Sequence, residues 1–142
     1  MTEIKNTIEI LKNTIEDALK SRPQVGGFPV LAEYLRKAGV LKNRWTLPFA
    51  QAIYITSFGN VVLQGPPIIT ETEAIIPEFN KAALIKVLRT DQAGKSTFPE
   101  FLHGAWLAGV VGYSVDFTQR VVHYYGINDE VYTESYPAVE IE

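Results

Sequence analysis

The sequence predicts an α+β fold in which four helices pack on a mostly antiparallel sheet. Two observations predict it. Two thirteen-residue stretches, Phe28-Pro29-Val30-Leu31-Ala32-Glu33-Tyr34-Leu35-Arg36-Lys37-Ala38-Gly39-Val40 and Phe98-Pro99-Glu100-Phe101-Leu102-His103-Gly104-Ala105-Trp106-Leu107-Ala108-Gly109-Val110, share their Phe, Pro, Ala, Gly and Val at a constant offset of 70. Each copy follows an amphipathic helical pattern and precedes residues that alternate like strands. The expected order is therefore helix, helix, strand, strand, strand, twice. Residues 1–142 are read as one domain, with halves 1–64 and 78–142 joined by a seam at 65–77. Half the chain is too short for a sizeable core of its own, so the halves are expected to pair about a pseudo-twofold axis.

The first helix is expected over Glu3 to Lys20. Ile4, Ile8, Leu11, Ile15 and Leu19 form one stripe, and Thr2 stands where an N-cap belongs. Pro23 ends it, and Gly26-Gly27 connect. The second helix opens with Phe28-Pro29, where a proline lacks no bond it needs, and stops at Gly39. A strand then follows, with Leu41, Asn43, Trp45 and Leu47 on one face and Lys42, Arg44 and Thr46 on the other. Gln51 to Ser57 form a second strand, Phe58-Gly59-Asn60 a turn, and Val61 to Leu63 a third strand. In the seam, the pairs Ile68-Ile69 and Ile75-Ile76 are expected to pack against the body.

Glu78 to Arg89 are expected as the third helix. Thr97, with Glu100 three residues on, makes a capping box for the fourth. Val111, Tyr113, Val115 and Phe117 alternate strictly. A Thr118-Gln119 hairpin loop places Tyr113 opposite Tyr124, Ser114 opposite His123 and Asp116 opposite Val121. Val131 to Tyr136 form the last strand, and Val139 to Glu142 alternate as a weak further one. The offset extends to Ile15 with Ile85, Tyr54 with Tyr124 and Val61 with Val131.

Composition narrows the function. Apolar residues make up 46% of the 142 and charged residues 20%, ordinary values for a globular domain. The net charge of −3 supplies no basic footprint, so no nucleic-acid partner is expected. With no cysteine and two histidines, thiol chemistry is absent and a protein-only transition-metal site is not expected. No apolar run reaches the ~18 residues of a membrane span, and the N-terminus lacks a signal-peptide core. A bacterial-type cytoplasmic protein is expected.

The run Phe98-Pro99-Glu100-Phe101, with Ala108-Gly109-Val110, Tyr113-Ser114-Val115-Asp116-Phe117, Tyr124-Tyr125-Gly126 and Tyr136-Pro137-Ala138-Val139, is similar to the YdfO-like family. These are small bacterial and prophage-encoded proteins of unknown function, some labelled "phage envelope protein". The resemblance is clearest over residues 98–139 and extends back to residue 28. It implies an α+β fold and assigns no catalytic residue.

Three constellations invite chemistry. Ser114, Asp116 and His123 share one face of two neighbouring strands. A working triad sets its nucleophile on a sharp turn beside an oxyanion hole, which a flat strand lacks, and a sheet with one wet face accounts for the alternation. Gly94-Lys95-Ser96 resembles the tail of a phosphate loop, but Arg89 stands where the first glycine belongs and a helix precedes it, so a solvated connector is expected. His103 lies off the apolar stripe of its helix and is expected to be solvated, as are Lys42 and Arg44.

The function expected is therefore a non-enzymatic binding or interaction module for a protein or small ligand. Its candidate binding residues are His103, Tyr113, His123, Tyr124 and Tyr125, since tyrosines are enriched at recognition sites. No catalytic residue, metal or cofactor is assigned, no membrane partner is expected, and a homodimer is left open. Two rival readings are a small hydrolase-like enzyme using Ser114, Asp116 and His123, and a phage-derived structural component. Asymmetric function would lie where the copies differ (Glu33 against His103, Tyr34 against Gly104), in a cleft between them.

Overall fold

The computed structural model describes residues 2–68 and 75–141. Helices α1 (Thr2–Ser21) and α2 (Gly27–Lys37) lead into strands β1 (Val40–Thr46), β2 (Gln51–Thr56) and β3 (Gly59–Gln64). The order then repeats, with α3 (Lys81–Gln92) and α4 (Phe98–Leu107) before β4 (Gly112–Asp116), β5 (Val121–Tyr125) and β6 (Val131–Ser135). All six strands join one antiparallel sheet in the order β3-β2-β1-β4-β5-β6. The fold is α+β, as the duplicated pattern predicts.

The two halves meet at β1 and β4. Arg44 pairs with Ser114, the position 70 residues on. Both ends of that ladder close with matching bonds: the Leu47 N–H donates to the Val111 carbonyl (3.1 Å) and the Phe117 N–H to the Leu41 carbonyl (3.0 Å). In the helix layer Gln24 Nε2 donates to the Gly94 carbonyl at 2.8 Å, again across 70 residues. An approximate twofold axis thus runs between Arg44 and Ser114 in the sheet and between Gln24 and Gly94 among the helix connectors. Those connectors also share the Gly26 N–H to Gln92 carbonyl bond (3.0 Å). At that point the space between the halves is bridged.

Local chemistry explains the elements. Thr97 and Glu100 form the capping box of α4. Asn80 caps α3 by accepting the Ala83 N–H, so that helix begins at Lys81 and not at Glu78. Helix α1 already includes Thr2. The β4–β5 register is the one the alternation predicts, with residues 117–120 making the turn and the Asp116 carboxylate accepting the Thr118 and Gln119 N–H groups (3.0 and 2.9 Å). Ala50 and Arg120, at equivalent places in the two hairpins, are both left-handed (φ 50° and 58°).

Four expectations give way. A bulge between Val40 and Lys42 turns Leu41 outward, leaving it exposed and off the face of Asn43 and Trp45. Residues Ser57-Phe58 carry the chain directly from Thr56 to Gly59, whereas the turn that the Gly126–Glu130 bond closes holds one residue more. Val61, opposite Tyr54, therefore corresponds to Tyr132, opposite Tyr124, and not to Val131. In the seam Ile68 packs against the core, but Ile75 is 88% exposed and Ile76 is exposed too; Ile69 lies outside the described residues. Residues 139–141 form no strand; instead Lys37 Nζ donates to the Ile141 carbonyl (3.2 Å).

One core runs through both halves. Leu11 and Leu35 from the first helix pair share it with Leu84 and Phe101 from the second, over Tyr54, Val115 and Phe117 of the sheet. Burying a side chain the size of Phe117 stabilises by about 1.5–3 kcal/mol. The chain leaves α4 at Gly109 (φ 88°), where an added Cβ would lie 2.4 Å from the Glu78 carbonyl oxygen and from Phe79 Cα. Backbone cannot retreat as a flexible side chain can. We therefore expect Gly109→Ala to cost about 3 kcal/mol or more in urea unfolding. Gly26→Ala is the control: it shares the left-handed backbone but meets nothing within 4 Å. It should cost only about 1–2 kcal/mol.

Candidate functional site

Strand alternation gives the sheet two faces. Asn43, Tyr54, Val61, Tyr113, Val115 and Tyr124 point into the core. The opposite face is covered by no described element. Its side chains fall into lateral rows that cross all six strands. One row reads Val62, Ile53, Arg44, Ser114, His123, Thr133; the next reads Asn60, Ile55, Lys42, Asp116, Val121, Ser135.

The five candidate residues divide among three places. His103 is exposed on α4, away from the others. Tyr113 and Tyr124 are buried core residues, their rings 5.7 Å apart, and Tyr113 also packs edge-on against Phe101. Burial pushes both hydroxyls above the ordinary tyrosine range, and it pushes that of Tyr54 up to about 12. His123 and Tyr125 come together on the uncovered face, with ring centroids 6.4 Å apart.

Ser114 and Asp116 stand on that face too, but the hydrogen bonds there do not link a triad. Ser114 Oγ bonds the Tyr125 hydroxyl at 3.0 Å. His123 Nδ1 bonds Thr133 Oγ1 at 2.8 Å. The Asp116 carboxylate holds the turn and lies 4.0 Å from Lys42 Nζ. Nucleophile, base and acid are each engaged with a different neighbour.

Two features of this face escaped the sequence reading. The Arg44 guanidinium sits over the Tyr125 ring, 5.2 Å from its centroid, a cation–π contact worth about 0.5–1 kcal/mol at an exposed site. The face also has an aliphatic corner: Ile53, Ile55 and Val62 are 43%, 42% and 57% exposed. The signal was present in β2, where Ala52 and Tyr54 alternate with Ile53 and Ile55, so both faces of one strand are apolar.

At the helix side, an ion cluster ties α2 to the β4–β5 turn. Buried Glu33 accepts from Arg36 Nε (3.0 and 3.1 Å) and Nη2, and from Arg120 Nη2 at 3.4 Å. The Arg36 hydrogen bonds hold the Glu33 carboxylate below the usual range, with the Arg120 charge adding to the effect. Next to it Tyr136 packs edge-on against Phe28 at 5.1 Å, and burial pushes its hydroxyl up to about 12. A shallow depression of about 330 Å³ lies between α3 and α4, beside Lys86, Thr90, Ser96 and Gly104.

Residues 16–135 match DUF1398, a family described as protein of unknown function. The chain belongs to the DUF1398 family. Uncharacterised proteins of Mycobacterium bovis (Mb2035) and Mycobacterium tuberculosis (MT2067 and Rv2012) are each 49% identical over 124 residues, 87% of this chain and 75% of theirs. The DUF1398 family has no activity in its description. No helix among the described residues is long and apolar enough to cross a membrane.

The Glu33 cluster carries a pH prediction. A carboxylate held below its unfolded value stabilises the fold at neutral pH, and that stability is lost as pH falls through the carboxylate range. Glu33→Gln should lower stability at pH 7 by about 1–3 kcal/mol, the worth of charge-assisted hydrogen bonds. It should also flatten the acid side of the stability profile, as read by urea unfolding at pH 7 and pH 4.

Proposed function

We propose that this protein is a non-enzymatic interaction module whose uncovered sheet face is its docking surface. The observation that carries the reading is the exposed corner of Ile53, Ile55 and Val62 beside Arg44 and Tyr125. An antiparallel sheet that faces water on one side is ordinarily polar there, and this one is largely polar except at that corner. His123, Tyr125 and Arg44 add hydrogen-bonding and cationic groups beside the apolar corner, the mixture that recognition surfaces use. The non-enzymatic reading is supported by the separate engagements of Ser114, Asp116 and His123. In this reading the protein acts in the bacterial cytoplasm.

A photo-reactive side chain at Ile53 should crosslink to the occupant in a bacterial extract. The same group at Lys12, exposed on α1, should not. Equal labelling at the two positions, or none at Ile53, contradicts the reading. His123→Ala should leave the melting temperature within the ordinary scatter of surface substitutions, roughly ±0.5 kcal/mol in stability.

A further inference from the structure

We infer that the occupant of the uncovered face is a second copy of this chain, packed sheet against sheet. The inference rests on the docking reading above and names its partner.

Charge placement selects the partner and the arrangement. Lys42 and Asp116 stand side by side on the two central strands, in the row next to that of Arg44 and Ser114. Let a dyad run parallel to the strands, between β1 and β4. Each β1 then lies across from the β4 of the other copy, at the same level. Lys42 comes over the second copy's Asp116, and Asp116 over its Lys42, so four charges alternate around the dyad. Arg44 faces Ser114. In the rows outside, Ile55 meets Val121, and Ile53 and Val62 come over His123 and Thr133. The other in-plane dyad, perpendicular to the strands, sets Arg44 against Arg44 and is opposed by its own charge. Packed sheets cross at about 30°, which displaces the central charges by only about 1 Å and the outermost Val62–Thr133 pair by about 6 Å.

The area is sufficient. Six strands at ~4.8 Å and five residues at ~3.3 Å give a face of roughly 29 by 17 Å, about 500 Å² per copy and about 1,000 Å² in all, where specific interfaces begin. Such a sandwich would bury the aliphatic corner that each copy leaves open.

Sedimentation velocity with charge-reversed variants tests the inference. The wild type should dimerise. Lys42→Glu sets a second carboxylate against Asp116, and Asp116→Lys sets a second ammonium against Lys42, so each alone should weaken the dimer by about tenfold or more. Mixing the two variants restores an attractive pair across the interface and should restore association as a heterodimer. Asp116→Lys also removes the cap of its turn, so its fold is checked by thermal unfolding; Ile55→Asp, at an exposed position, gives an independent loss of dimer. A dimer indifferent to Lys42→Glu and Ile55→Asp overturns the inference, because another surface then makes it. A monomeric wild type overturns it too. If that monomer still crosslinks from Ile53 to another protein, the docking reading survives without the second copy; if it crosslinks to nothing, both fall.

Discussion

The structure depends on one strand pairing. Strands β1 and β4 are the only direct backbone ladder between the two halves among the described residues, and they occupy the centre of the sheet. Without that ladder each half would be a three-stranded sheet under two short helices, with Tyr54, Tyr113 and Phe117 at an open edge of the core. With it, Leu11, Leu84 and Phe117 belong to one interior. Buried Asn43 reinforces the join, its side-chain oxygen accepting the Val115 N–H at 3.2 Å. A buried amide left without that partner would cost about 1–3 kcal/mol, so the bond favours this register over a slipped one.

Duplication explains why the fold closes and also where it is free to differ. The backbone positions that repeat are geometric: left-handed Gly39 and Gly109, left-handed Ala50 and Arg120, and the paired bonds that end the β1–β4 ladder. The side chains on the uncovered face do not repeat. Ile53 answers to His123, Ile55 to Tyr125 and Arg44 to Ser114. The first half thus supplies an aliphatic corner and a cation, and the second supplies an imidazole, a phenol and hydroxyls. Such a surface presents two unlike ends about one centre. That is what a face-to-face partner of the same kind can complement.

Much of the fold was legible in the sequence because its rules are local. Period-two alternation located the β4–β5 register, and Thr97 with Glu100 located the start of α4. The Leu41 bulge was not legible, since it depends on how β1 meets β2 and leaves no residue signature. The single-residue difference between the β2–β3 and β5–β6 turns was hidden as well, because both turn segments are rich in turn formers. The candidate site was harder to read. Alternation shows that Tyr113 and Tyr124 share a face, but not which face the helices cover, so two core tyrosines entered a list of binding residues. In β2 both faces are apolar, and only the packed structure reveals that Ile53 and Ile55 are the ones left open.

Native-state hydrogen exchange tests the central join most directly. If β1 and β4 hold the two halves in one cooperative unit, the amides of Asn43 and Val115 should exchange slowest, with one common opening free energy equal to that of global unfolding. Slow exchange confined to one half, with β1 and β4 opening at clearly different free energies, would contradict a single sheet built around their pairing.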